Sequence, residues 1–396
     1  MSNLHIKRES SALYQIWSHE NLSRGQIAQI LHLKPPTVSS LVNDLIESGR
    51  ILEGEYAESS GGRRARLLEI VPYWGWIIGI EFSSTGISST AANMKGDILN
   101  LSHTRYDRSR GQDKIIAHLK NAIRQQIAYI RKINDKPILR IGLSVSGLVD
   151  ETRGISINFP HMENWKEVPL KSIVEKEFNI PVLLENRITA STMAEHLFGH
   201  HKDTRDALLF HLGPGLGMGM ILSGEVRRGS RWSVGEFGHV SIADDGPLCY
   251  CGKRGCLESL ASDYALVQQV KKAIEGGVNT RILDFAGGQI SAEAICLAAA
   301  DGDRLAHGLI EKVGYYIATA VANILNILGP EVILFTGTMV ESSDILLDCI
   351  RRNLRVHTLE YIEKNVQVEK ATFGTEGGIR GAVTMALHQF YSNHAG

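Results

Sequence analysis

Residues 231–258 read RWSVGEFGHVSIADDGPLCYCGKRGCLE, and the rest of the chain is read outward from this stretch. It holds three of the five cysteines, Cys249, Cys251 and Cys256, with His239 ten residues before the first. Thiolate sulfur and imidazole nitrogen are the ligands zinc prefers, so these four residues suit a tetrahedral zinc (Zn2+) site. Four protein ligands close the site, and the expected role of the ion is structural. Two plainer readings compete: buried thiols beside a hydrogen-bonded histidine, or a disulfide. A C-x-C disulfide is strained, and a reducing compartment keeps thiols free. Gly235, Gly238, Gly246, Gly252 and Gly255 punctuate the stretch, as a backbone bending around an ion requires.

At 396 residues the chain exceeds one average domain, and two or three are expected. Its formal net charge of -1 argues neither for nor against an anionic partner, so any case for nucleic acid must rest on local clusters. The opening MSNLHIKRESSALYQIWSHE lacks the apolar core of a signal peptide, and no apolar run reaches the length of a membrane span. A cytoplasmic location with no membrane partner is the expectation.

Residues 1–72 have a pattern of their own. Ser23-Arg24-Gly25-Gln26 is an S-x-x-Q capping box that opens a short helix with Ile27, Ala28, Ile30 and Leu31 on its apolar face. After a turn at His32-Leu33-Lys34, residues Val38, Leu41, Val42, Leu45 and Ile46 form one stripe of a second helix, from Pro35-Pro36 to Gly49. Two short helices joined by a tight turn are the helix-turn-helix pattern. Thr37, Ser39, Ser40 and Asn43 lie on the opposite face, where small polar groups can approach base edges and phosphates in a major groove. Ile51–Glu55 and Arg66–Ile70 read as strands flanking Ser59-Ser60-Gly61-Gly62-Arg63-Arg64, a wing with Arg63 and Arg64 at its tip, suited to phosphate or minor-groove contact. The plain alternative is a solvated charge run on an ordinary helical pair. Residues 1–72 contain eight Lys plus Arg against eight Asp plus Glu, so only a clustered footprint could bind DNA. Lys34 also stands where a Ser, Thr or Asp would cap the second helix.

From Trp76 strands and helices alternate. Strands are expected at 77–82, 87–94, 98–103, 138–145, 182–184, 207–212, 218–222, 332–335 and 366–369. Helices are expected at 113–133, 170–178, 188–198, 264–274, 292–300, 304–328, 343–354 and from 376 onward. This rhythm implies an α/β fold with covered sheets, arranged as two lobes with a cleft between them.

G-E-F-G-H followed by C-Y-C-G-K-R-G-C-L-E resembles the signature of the ROK family, whose name joins repressors, open reading frames and sugar kinases. The resemblance extends over residues 76–390, with the winged helix-turn-helix of the family's repressors in front, and implies a two-lobed actin-like ATPase fold of the ROK sugar-kinase type. It implies a winged helix-turn-helix at 1–72, a first lobe at 73–195 completed by 376–396, and a second lobe with the zinc site at 196–375. Ile141–Asp150 resembles the family's sugar-side loop, and Asn158-Phe159-Pro160 with Asn164-Trp165 its substrate-contacting segment. Glu185, Asn186, Glu236, His239 and Glu258 match the polar residues that hold sugar hydroxyls, a task for which carboxylates and amides are chemically suited. His239 would then serve zinc on one ring nitrogen and sugar on the other.

Three stretches depart from the family's kinases. Their Asp-x-Gly-Gly-Thr nucleotide turn is replaced by Glu81-Phe82-Ser83-Ser84-Thr85, whose side chains obstruct a phosphate seeking backbone amides. The turn Gly213-Pro214-Gly215-Leu216-Gly217-Met218-Gly219 has proline in place of threonine. Glu185-Asn186-Arg187 puts arginine where the kinases keep their aspartate base, and arginine stays protonated. The expectation is a non-enzymatic regulator, a sugar-responsive repressor with operator DNA and a sugar or sugar derivative as partners, assembled as a homodimer or homotetramer. Arg187 would line the sugar cleft, either paired with Glu185, Glu236 or Glu258 or reading an anionic effector. The alternative is an ATP-dependent sugar kinase carrying a DNA-binding domain.

Overall fold

A computed structural model of the chain describes residues 3–19, 21–57, 64–106, 111–159, 162, 164–229 and 233–393. They gather into two compact units, Met1–Ala190 with Ile379–Gly396, and Ser191–Gly378.

The first unit opens with α1 (Asn3–Ser18), β1 (Leu22–Ser23), α2 (Arg24–Ile30), α3 (Pro35–Glu47), β2 (Ile51–Tyr56) and β3 (Arg66–Ile70). The capping box is formed: the Ser23 hydroxyl accepts from the Gln26 amide, and Gln26 Oε1 accepts from the Ser23 N–H at 2.8 Å. Lys34 makes no side-chain cap to α3, whose first turn carries Pro35 and Pro36 and so has fewer orphan donors. Val38, Leu41, Val42 and Leu45 are buried, while β1, β3 and β2 form a small antiparallel sheet. Helix α1 is an element the sequence pattern did not announce. Its buried face, Ala12, Leu13, Ile16 and Trp17, is short and interrupted by polar residues. Tertiary contacts hold it: Trp17 lies 5.2 Å from the Tyr391 ring and Tyr14 5.5 Å from His388.

The same unit continues with β4 (Trp76–Ser83), β5 (Gly86–Ala92), β6 (Ile98–Thr104), α4 (Gln112–Ile133), β7 (Ile138–Val145), β8 (Val149–Asp150), β9 (Ile155–Asn158), β10 (Lys166–Val168), α5 (Leu170–Phe178), β11 (Val182–Asn186) and the start of α6 (Arg187–Phe198). The main sheet runs β11-β7-β4-β5-β6, parallel through β11, β7 and β4 and antiparallel beyond. β4 is buried along nearly its whole length, which is why it reads as a continuous apolar run rather than an alternation.

The second unit holds β12 (Ala207–Leu212), β13 (Leu216–Leu222), β14 (Glu225–Val226), a one-turn 3-10 helix at Phe237–His239, α7 (Leu257–Ala261), α8 (Asp263–Glu275), α9 (Ile282–Phe285), α10 (Ala292–Ala300), α11 (Arg304–Leu328), β15 (Val332–Thr336), α12 (Thr338–Ser342), α13 (Ile345–His357), α14 (Glu360–Asn365) and β16 (Gln367–Lys370). Its sheet runs β14-β13-β12-β15-β16, again an antiparallel three-strand meander extended by two parallel strands. The two sheets share one strand order, so the α/β architecture is built twice. The chain returns to the first unit through α15 (Gly377–Asn393), which packs so close to the first sheet that a Cβ at Gly142 would sit 1.9 Å from the Ala382 carbonyl oxygen. Only glycine fits there.

Candidate functional site

In the second unit, His239, Cys249, Cys251 and Cys256 bring one ligand atom each to within 4.8 Å of one another. The Cys251 and Cys256 sulfurs are 3.6 Å apart, and Cys249 Sγ is 3.7 Å from His239 Nδ1. Bonds of about 2.3 Å to sulfur and about 2.0 Å to nitrogen in a tetrahedron require separations of this size, so the donor set fits zinc. The backbone is shaped to the same end. Cys249 N–H donates to the Lys253 carbonyl at 2.8 Å, Gly252 turns the chain at φ 88°, and Gly255 at φ 68° lies where a Cβ would strike the Ala243 carbonyl. Burial pushes the Cys256 thiol up to about 12, with the neighbouring thiols adding to the effect. A dication at the centre would reverse that field and hold the thiolates. The second ring nitrogen of His239 is engaged by the Tyr250 hydroxyl at 3.1 Å. Tyr250 was missed in the sequence, although its place between two cysteine ligands is the signal that could have found it.

Two residues beyond Cys256, Glu258 enters α7 and turns inward. Its Oε2 accepts from the Leu216 N–H at 2.9 Å, within the glycine-rich turn joining β12 and β13. Gly215 and Gly238 both approach the same oxygen: a Cβ at Gly215 would be a tight 3.2 Å from it, and one at Gly238 would meet it at 2.9 Å and the Leu216 carbonyl at 2.8 Å. Burial raises the Glu258 carboxyl, and the negative charge of nearby Glu236 raises it further; Glu236 is itself pushed up by burial. Glu236, His239 and Glu258 therefore stand together with the cysteine cluster in one unit. One backbone donor of this glycine-rich turn is thus spent on a carboxylate.

The remaining candidate effector residues lie in the first unit. Asn186 caps α6: its Oδ1 accepts from Ile188 N–H at 2.8 Å and Thr189 N–H at 3.2 Å, and its Nδ2 donates to the Gly147 carbonyl at 2.8 Å. Asn158 holds the same loop, accepting from Leu148 N–H at 2.8 Å. Asn164 is exposed beside Trp165, which is buried and donates to Ser156 Oγ at 2.9 Å. Arg187 pairs with a partner the sequence reading did not name: its Nη1 lies 3.3 Å from Oε1 of Glu81, at the end of β4. Burial pushes the Glu81 carboxyl up against the downward pull of Arg187. In the turn that follows, Ser83 Oγ contacts Thr85 Oγ1 at 2.9 Å and accepts weakly from the Thr85 N–H. This second turn also spends polar groups internally.

On the surface of α3, Ser40 and Asn43 are exposed, Thr37 and Ser39 are half-buried, and Arg64 is exposed at the edge of the hairpin; Arg63 lies outside the described residues. Arg24, which the sequence reading passed over, ties these elements together. Its guanidinium donates to Asn43 Oδ1 at 2.9 Å, to the Ser39 carbonyl at 3.3 Å and to Glu53 of β2 at 2.9 Å.

Residues 77–389 match the family model described as "ROK family". The chain is 29% identical over 381 residues to a "Xylose repressor" of Caldicellulosiruptor bescii, covering 96% of this chain and 95% of that one. It is 31% identical over 367 residues to the "DNA-binding transcriptional dual regulator NagC" of Escherichia coli, covering 91% and 88%. Among solved structures, a ROK family transcriptional regulator that is a homolog of the E. coli MLC protein superposes with a TM-score of 0.83 at 27% identity, over 100% of this chain and 98% of that one.

Proposed function

The chain belongs to the ROK family, and on that premise we propose that it is a sugar-responsive, DNA-binding transcriptional regulator that senses a sugar without phosphorylating it. The observation that carries this reading is the Arg187–Glu81 pair. A kinase needs a carboxylate base free to take a proton from the sugar hydroxyl; a guanidinium cannot accept one, and here it is bound to a second, buried acid. The internally bonded turns at Ser83-Ser84-Thr85 and Gly215-Leu216 support the same conclusion, since each spends groups that a nucleotide phosphate would need. The repressors named above add support at the level of the family.

In this account α2, α3 and the β2–β3 hairpin act as a winged helix-turn-helix. Helix α3 enters the major groove of an operator, and Arg63 and Arg64 contact the backbone or minor groove. Within the second unit Glu236 and Glu258 are the sugar ligands, carboxylates that accept from hydroxyls, and within the first unit the candidates are Asn164 and Asn186, amides that both donate and accept. Zinc held by His239, Cys249, Cys251 and Cys256 would supply a rigid cross-link under Glu258 and Glu236, so that the metal orients the effector site. The regulator works as a homodimer or homotetramer, because a two-fold axis matches paired half-sites. Effector binding shifts the population between arrangements that differ in operator affinity. A thermal-shift screen against sugars, with and without ATP, tests the reading: one sugar should stabilise the protein, and ATP should add nothing. Stabilisation by ATP together with consumption of the sugar would replace this reading with the kinase.

A further inference from the structure

The hydrogen bonds around Asn43 limit what its side chain can read. Asn43 sits on the exposed face of α3, one turn after exposed Ser40, and its Oδ1 receives Arg24 Nη1 at 2.9 Å. A guanidinium has no acceptor, so the arm of the amide that faces it must be the oxygen, whichever way the group is drawn. Arg24 is itself pinned. Its Nε and Nη2 both reach Glu53 Oε1, at 3.0 and 2.9 Å, and Nη1 also donates to the Ser39 carbonyl at 3.3 Å. Glu53 is in turn approached by Arg66 Nη1 at 3.6 Å. The amide oxygen is thus held from α2 and β2 through Arg24 and Glu53, and Nδ2 is the other arm of the amide.

Resting on the reading of α3 as the recognition helix, we infer that Asn43 reads an operator base only as a hydrogen-bond donor, with Arg24 as the residue that sets this polarity. A free asparagine favours adenine, accepting from N6 while donating to N7. With the oxygen arm turned to Arg24, Nδ2 is the arm left to meet a base, and the two-point contact would need the oxygen's second lone pair to face the groove as well. The base position read by Asn43 is one that presents an acceptor: a purine N7, guanine O6 or thymine O4. Arg24 is a positioning residue here, and it acts on specificity through Asn43.

The test uses the full-length protein and a duplex library randomised over its centre. The best-bound duplex is resynthesised with single base analogues: 7-deazapurines, which lack N7; purine in place of adenine, which lacks the N6 amino group; and 4-thiothymine. At the position whose discrimination is lost in Asn43→Ala, removing the acceptor should weaken wild type by roughly tenfold, the scale of one hydrogen bond, and removing N6 should leave it unchanged. In Arg24→Met the oxygen arm is released, and N6 removal at an adenine placed there should now cost affinity. Asn43→Asp, which keeps its partner Arg24 and so guards against a folding defect, should lose the acceptor preference. Wild type weakened equally by loss of N6 and of N7 would overturn the inference, as would an Asn43→Ala that alters no position; both leave DNA recognition intact. A wild-type protein that enriches no sequence would instead overturn the regulator reading, and this inference with it.

Discussion

Arg187 Nη1 stands 3.3 Å from Glu81 Oε1, joining two residues that, by resemblance, stand where the family's kinases keep their base and the head of their nucleotide turn. Both side chains are largely enclosed, with 15% and 10% of their surface exposed, so the pairing offsets part of the cost of burying each charge. Removing one partner of such a pair leaves a buried charge. Arg187→Ala should cost about 3 kcal/mol in chemical denaturation, while the double change Arg187→Met with Glu81→Gln should recover most of that loss. An Arg187→Ala protein as stable as wild type would show that the pair is incidental. The pairing also bears on the effector. With its charge answered by Glu81, Arg187 should give no preference for an acidic sugar: calorimetry should find the neutral sugar bound at least as tightly as its phosphate, and tighter binding of the phosphate that Arg187→Ala abolishes would reverse this.

The cysteine cluster should hold one zinc ion per chain. Tyr250→Phe removes the hydroxyl that meets the second nitrogen of His239, and outer-shell changes of this kind cost roughly 10- to 100-fold in metal affinity. Cys251→Ser, at an exposed ligand, should lose more, and chelator should lower the unfolding temperature of wild type but not of this variant. Protein purified without chelator and found free of zinc would contradict the assignment.

Asp263, at the start of α8, gives a pH signature to the second unit. Its Oδ1 is buried without a hydrogen-bond partner among the described residues, and burial raises the carboxyl to about 7 from 3.8. Between these values the folded chain holds a proton that the unfolded chain has released. This contribution to stability is therefore complete at pH values below 3.8 and lost as pH rises through about 7. Asp263→Asn should flatten the dependence and be the more stable protein at alkaline pH, by up to about 4 kcal/mol at roughly 1.4 kcal/mol per unit. Parallel stability curves for the two proteins from acid to alkaline pH would refute this.

On the DNA side, Arg64→Ala and Arg63→Ala should weaken binding evenly across sequences, each lowering the salt slope by about one, the signature of a lost phosphate contact. Asn43→Ala should instead blur discrimination at one base position. Salt titrations of the variants on selected and scrambled duplexes separate the two effects, and unchanged slopes in both arginine variants would remove the wing from the interface.

Much of this was legible in the sequence because the signals were local. The capping box at Ser23 and Gln26, the apolar stripe of α3, the buried run of β4 and the spacing of three cysteines after His239 all state their roles within a few residues. The family resemblance read from the G-E-F-G-H and cysteine stretch is likewise matched over residues 77–389. What escaped depends on partners far along the chain. Helix α1 has a weak stripe and is held by Tyr391 and His388, more than 360 residues away; the pairings of Arg187 with Glu81 and of Arg24 with Asn43 and Glu53 exist only once strands and helices are packed. Charge counting alone could not choose among the acids available to Arg187.

On the proposed function, one protein couples a sugar to DNA without chemistry on the sugar. The direct measurement is the affinity of the full-length protein for its library-selected duplex, titrated across a panel of neutral sugars, sugar phosphates and uronates, with ATP and sugar turnover followed in the same samples. One sugar should change the duplex affinity by about 5- to 150-fold, the range of typical coupling energies, with no ATP consumed. Sugar-dependent ATP turnover, or a duplex affinity that no sugar changes, would contradict it.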